Sequence, residues 1–257
     1  MDIIIISIVI FFAAILTFFS GFGLGTILTP VMLLYFPVEI AITFTGIVHF
    51  SNNIFKLFII GKNVSKEVLI KFGFPAIIAA FFGSFLLFYI NENSIVYSTN
   101  INGILREVSA LKFVISLLLI IFAFIDLIPF FNNLKFEKKS LPIGGILSGF
   151  FGGLTGNQGA LRSAFLIKIG LEKQVFVATT VVISSLVDMT RLGVYASNLS
   201  SINLSDYFAL GFFSIISGII GSIIGNKLLK KVTIEFIRFL VAILILVIAF
   251  GLLLGIL

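Results

Sequence analysis

The chain has 257 residues, 60% of them hydrophobic and 11% charged, with a formal net charge of +6. A mean hydropathy of +1.25 excludes an ordinary soluble fold, because a chain of this length has no interior large enough to hide so much apolar surface. No cysteine is present, which removes disulfides, thiolate metal sites and thiol catalysis. The lysines fall in short loops between apolar runs, so the positive charge marks no nucleic-acid partner.

Apolar runs recur along the whole chain, as at Ile3 to Phe19, Phe72 to Ile90, Phe113 to Ile128 and Phe236 to Leu257. Each is near the ~20 residues that carry a helix across ~30 Å of hydrocarbon. Backbone groups in lipid must be satisfied within their own segment, so these runs are helices and the chain is an all-α polytopic membrane protein. The first run follows Met1 and Asp2 without a basic n-region or small-residue cleavage site, and reads as a retained helix. Polar breaks divide the first half into 3–20, 23–36, 38–60, 68–90 and 107–129. The second half divides into 141–156, 158–170, 173–196, 205–228 and 234–256.

Two elements are short. Helices over Gly23 to Phe36 and Gln158 to Gly170 would each extend about 20 Å, less than the hydrocarbon thickness. Each follows a glycine-rich break, with Gly21, Gly23 and Gly25 at the first and Gly156 and Gly159 at the second, and the first contains Pro30. Each half is therefore predicted to start with a broken or re-entrant hairpin and to continue with about three full transmembrane helices. Irregular backbone at that depth must be buried in protein or line a wet cavity.

The halves also match each other. Aligning Lys71 to Leu87 with Ala209 to Gly225 superposes Gly73 on Gly211, Gly83 on Gly221 and Ser84 on Ser222. The predicted organisation is a repeat over 1–131, a Lys-rich cytoplasmic linker over 132–140, and a second repeat over 141–257. Basic residues cluster at Lys56 to Lys71, Lys135 to Lys139, Lys168 to Lys173 and Lys227 to Arg238. Only Arg106, Lys112, Arg162 and Arg191 of the 17 fall elsewhere. The positive-inside rule puts those clusters in the cytoplasm, both termini outside, and the five tyrosines in an outer interfacial belt. An odd number of elements per half makes this an inverted-topology repeat, an architecture whose sites lie near the midplane.

The stretch GNQGALRSAF, Gly156 to Phe165, sets an arginine among carboxamides and glycines with no acid in the stretch. A central arginine is costly in a membrane and needs a partner or a path to water. Arg162 lies early in a short helix, where backbone N–H groups and the helix dipole favour an anion, and its planar fork suits oxyanions. It reads either as a substrate ligand or as a structural residue that snorkels or bridges to Asp188. Asn157, Gln158 and Thr155 stand beside it, as anion donors or as groups that satisfy a helix break. The third element of each half carries a polar stripe: Thr45, His49, Asn52 and Asn53 in the first, Thr180, Ser184 and Asp188 in the second, with Arg191 three residues on. Such stripes face protein or water, as substrate contacts or as interhelical glue. Asp188 and Arg191 read as a coupling site or an ion pair. His49 is the only histidine and cannot make a zinc site alone, so neither metal nor cofactor is expected.

Three segments carry a resemblance: GFGLGTILTP at Gly21 to Pro30, AITFT at Ala41 to Thr45, and GGILSGFFGGLTGNQGALRSAFL at Gly144 to Leu166. Together they resemble the sulfite exporter TauE/SafE family of anion permeases, over nearly the whole chain. The resemblance implies a duplicated carrier of the cytoplasmic membrane that exports sulfite, sulfonates or related organic anions. The NQG of the second glycine cluster departs from the commoner small-residue pattern and leaves the anion open. With no phosphate-binding GxxxxGK[ST] loop, ATP is not expected to drive it; coupling is left to protons or to the membrane potential, with Asp188, Glu39 or His49 as the candidate residues. An intramembrane enzyme would need a nucleophile with a base, or a metal cluster. A non-transporting scaffold is the remaining alternative, and it would not need an arginine at a helix break.

Overall fold

A computed structural model describes residues 2–18, 23–60, 63–90, 94–101, 103–128, 137–166, 169–198, 207–228 and 234–257. The first half holds α1 (Asp2–Thr17), α2 (Gly25–Met32), α3 (Val38–Ile60), α4 (Lys66–Tyr89), β1 (Ile95–Ile101), β2 (Ile104–Ser109) and α5 (Ala110–Leu127). The second holds α6 (Leu141–Thr155), α7 (Gly159–Leu166), α8 (Lys173–Asn198), α9 (Phe208–Leu228) and α10 (Ile234–Leu253). Among the described residues, α4, α8 and most of α9 are long and apolar enough to cross a membrane, and shorter apolar helices lie within α1, α5 and α10. A π turn at Leu69–Gly73 interrupts α4 just ahead of Pro75, whose missing N–H would leave a gap in a regular ladder.

Packing is dictated by small residues. Along α6, Gly145, Gly149 and Gly153 lie so close to α4 that an added Cβ would run into the carbonyl oxygens of Phe72, Ala76 and Ala80 in turn. Residue numbers rise together along that seam, so α4 and α6 run parallel. The same holds for α1 and α9, where Gly221 abuts Phe11 and Gly225 abuts Ile15. In contrast, α3 and α8 run antiparallel. Gly46 meets Leu192, His49 meets Asp188, and the Ser65 N–H beyond the end of α3 bonds Thr179 Oγ1 at 3.0 Å. The glycines that align between the halves do matching work. Gly83 of α4 abuts Phe150 of α6 and Gly221 of α9 abuts Phe11 of α1; Gly73 faces Ile183 of α8, and Gly211 faces Phe44 of α3.

Several expectations change. The short helices are shorter than predicted: α2 and α7 have 8 residues each, or about 12 Å. Gly23 with φ +80° precedes the first, and Gly156 with φ +76° precedes the second. The chain is not purely helical. Strands β1 and β2 pair antiparallel from Ile95–Ser109 to Ile101–Ile104, and Gly103 has φ +80°. Asn102-Gly103 is the dipeptide that favours a two-residue hairpin turn, a signal masked by its place between two long apolar runs. Tyr195 is not a belt residue; it is buried and its hydroxyl donates to the Gly153 carbonyl. Lys56 is not a loop cation but a buried residue of α3, 2% exposed. Gly21 and residues 132–136 of the expected linker lie outside the described residues.

Leucine at position 149 would have to displace backbone along the α4–α6 seam. Overpacking of this kind costs about 1–3 kcal/mol or more, so Gly149→Leu is expected to lower the melting temperature in detergent by several degrees, whereas Gly193→Ala, in open space, leaves it unchanged.

Candidate functional site

The two helix breaks converge on α3. At the end of α6 the backbone turns at Gly156, whose N–H bonds the Gly152 carbonyl at 3.0 Å. Thr155 Oγ1 donates to Phe151 O at 2.8 Å and accepts the Asn157 N–H at 3.1 Å, so this threonine holds the break rather than opening into it. Ser148 Oγ donates to Gln158 O at 3.1 Å. From the other half, a Cβ at Gly25 would sit 3.1 Å from Gly156 O and one at Gly23 only 2.7 Å from His49 Nε2 and 3.7 Å from Arg162 Nη2. Glycine is required at 23 twice over, by its left-handed φ and by that imidazole.

Asp188, fully buried on α8, is the hub. Its Oδ2 lies 2.6 Å from His49 Nδ1 and accepts from Asn53 Nδ2 at 3.3 Å, both on α3. Its Oδ1 accepts from Gln158 Nε2 at 3.1 Å and from Arg191 Nε at 2.9 Å, with Arg191 Nη2 at 2.8 Å. Gln158 passes the link onward, because its Oε1 accepts from Arg162 Nη1 at 3.1 Å. A carboxamide therefore stands between Asp188 and Arg162 where a direct bridge was one expectation, and Arg162, 1% exposed, does not snorkel.

Six of the candidate residues are thus drawn into one network: His49, Asn53, Gln158, Arg162, Asp188 and Arg191. Thr45, Asn157 and Ser184 are buried around it. Asn52 turns away to α9, where its Oδ1 accepts from Ser222 Oγ at 2.7 Å. Thr180 lies two turns from Asp188 and donates back to Val177 O at 2.8 Å, so it is a helix-stabilising residue. Pro30 is buried inside α2 and Gly159 opens α7.

The network leaves polar atoms unused. Thr29 Oγ1, Thr45 Oγ1, Asn52 Nδ2, both amide atoms of Asn157, and Arg191 Nη1 are buried and make no hydrogen bond to the described residues. Buried polar groups in native proteins are nearly always satisfied, so such a concentration asks for an explanation. Thr29 Oγ1 and Arg191 Nη1 both lie about where a Cβ on Gly156 would go, at 2.9 and 3.0 Å. Among the described residues the buried charged groups are Lys56, Arg162, Arg191 and Asp188, three cations and one carboxylate, with His49 beside them. Such an environment attracts an anion and offers it amide, hydroxyl and guanidinium donors.

Two contributors escaped the sequence reading. Lys56 sits on the same face of α3 as Asn52 and Asn53, with its ammonium 5.1 Å from the Phe18 ring centroid. Its neighbourhood of Lys62 and Lys66 made it look like a loop cation, although the i, i+4, i+7 series from His49 through Asn53 to Lys56 could have found it. Thr29 carries no sequence signal beyond its place before Pro30.

A family model described as sulfite exporter TauE/SafE matches residues 6–252. No curated protein matches the chain.

Removing the carboxylate alone strands Arg191 in a buried site, a change that costs about 3–5 kcal/mol. Asp188→Asn is therefore expected to lose folded protein in detergent and to melt well below wild type. Asp188→Leu with Arg191→Met is expected to recover part of the loss; equal melting for the single and double variants would contradict the ion pair's role.

Proposed function

The chain belongs to the sulfite exporter TauE/SafE family, and from that premise we propose that it is a secondary transporter that exports a small sulfur oxyanion or organic anion. At the level of the family it is a membrane transporter of sulfite and related sulfur anions. The observation that carries the finer reading is the excess of buried cations over carboxylate, among the described residues, around the meeting point of the two broken helices. Desolvating a cation costs several kcal/mol, and that penalty is offset only by good partners. Asp188 answers Arg191 and, through Gln158, reaches Arg162; a bound oxyanion supplies the remaining negative charge and takes up the unused donors.

In this reading Arg162 is the principal ligand and Asn157, Thr45 and Thr29 complete the cradle. The two halves form an inverted repeat across the bilayer. Support comes from the opposed course of α3 and α8, the third elements of each half, and from the matched parallel seams α4–α6 and α1–α9. Under inversion α1 corresponds to α6 and α4 to α9, so each seam maps onto the other. The short helices α2 and α7 act as re-entrant pieces that hold the anion near the midplane, where irregular backbone is tolerated because it is buried in protein. The cluster, 0–3% exposed, corresponds to a state closed on both sides. The lysine-bearing loops face the cytoplasm and both termini the opposite side.

Arg162→Gln keeps an amide donor but shortens the side chain and removes the charge. Charge-assisted contacts are worth about 1.5–3 kcal/mol, so sulfite flux from proteoliposomes is expected to fall about 10- to 100-fold at unchanged melting temperature. Undiminished flux would remove Arg162 from the site. Absence of flux for any sulfur oxyanion in the folded wild type would favour a scaffold.

A further inference from the structure

Lys56 is a buried cation of α3 with which no described carboxylate pairs. Its ammonium is buried over the Phe18 ring at 5.1 Å, and an aromatic face offsets only part of what a cation loses on leaving water. Asp188, the only buried carboxylate among the described residues, is already taken by His49, Asn53, Gln158 and Arg191. Arg162 shares this interior: a Cβ on Gly23 would lie 3.7 Å from Arg162 Nη2 and 2.7 Å from His49 Nε2, and His49 stands two turns before Lys56 on the same face of α3. Like charges brought together in a low-dielectric interior require an anion that answers both.

The surroundings of Lys56 are built for one. Asn52, one helical turn earlier on α3, is held by Ser222 through its carbonyl oxygen at 2.7 Å, which leaves its buried Nδ2 with no partner. One turn later on the same face, Ile60 borders a cavity of about 420 Å³ that is also lined by Asn63, Lys173, Gln174 and Asn226. A cavity whose lining includes lysine and carboxamide side chains thus stands at the end of α3 that Lys56 is nearest to, while Arg162 belongs to the network around Asp188.

We propose that Lys56 and Asn52 form a second cationic station on the transport path, which makes the carrier prefer anions with two negative charges over anions with one. This rests on the reading of Arg162 as the first station. A divalent oxyanion, or a molecule with two anionic groups, engages Arg162 and Lys56 together. A monoanion of equal size answers only one of them and leaves the repulsion in place.

Sulfate and methanesulfonate are both tetrahedral at sulfur and close in size, and they differ by one charge. Their dissociation constants are to be measured by calorimetry on the purified full chain in detergent at fixed ionic strength, for wild type, Lys56→Met and Lys56→Arg. Wild type is expected to bind sulfate at least about 10-fold more tightly than methanesulfonate. Lys56→Met is expected to weaken sulfate about 10- to 100-fold, the range of a lost charge-assisted contact, and to change methanesulfonate by less than about threefold. Lys56→Arg is expected to keep the preference. A wild type that binds both anions equally overturns the second station and leaves the Arg162 reading standing, and this arm needs no variant to fold. The second station is likewise overturned if Lys56→Met retains the sulfate preference or weakens both anions alike. A wild type that binds neither anion overturns both proposals.

Discussion

One carboxylate holds the centre of this molecule together. Asp188 is the single buried acid among the described residues, and three helices direct donors at it: α3 through His49 and Asn53, α7 through Gln158 at its N-terminal edge, and α8 through Arg191. An unpaired charge at this depth would cost several kcal/mol, so these helices cannot separate without exposing or stranding it. The partners come from both halves of the chain. The hub therefore fixes how the halves meet as well as where the arginines stand.

That arrangement depends in turn on glycine. Parallel seams between α4 and α6 and between α1 and α9 bring backbone against backbone, a contact that small residues permit and that supplies packing where the hydrophobic effect cannot. Gly23 and Gly156 take left-handed φ values at the two breaks, and the space their missing side chains leave is filled by His49, Thr29 and Arg191. The same residues that shape the fold clear the room for the polar cluster. Fold and site are not separable layers in this protein.

Much of this was legible in the sequence, because the strongest signals there are physical necessities. Long apolar runs demand helices, glycine breaks shorten two of them, and Arg162 cannot sit in lipid without company. The stripe on α3 and its counterpart on α8 were visible by periodicity, and the network joins them at His49 and Asp188. What escaped depended on three dimensions or on a misleading neighbourhood. Lys56 is followed by loop lysines, and only its place on the inward face of α3, with Asn52 and Asn53, separates it from them. Tyr195 sits near the end of α8, where interfacial tyrosines are common, yet it turns inward to Gly153. The hairpin of β1 and β2 was hidden between two stretches whose hydropathy dominates any window. Gln158 was expected beside Arg162, but its place as the link to Asp188 is a matter of side-chain geometry that spacing does not encode.

Transport of an anion explains why such a costly cluster is kept. A purely structural core would be better served by apolar residues of the same volume, whereas a carrier needs donors that are incompletely satisfied until its cargo arrives. The most direct measurement is diffraction from the protein saturated with selenate, whose selenium is located by its anomalous scattering. A selenium peak inside the protein is predicted, with selenate oxygens in hydrogen-bond contact with the Arg162 guanidinium. Selenium found only at surface lysines, with Arg162 closed directly onto Asp188, would contradict an anion site at the helix breaks.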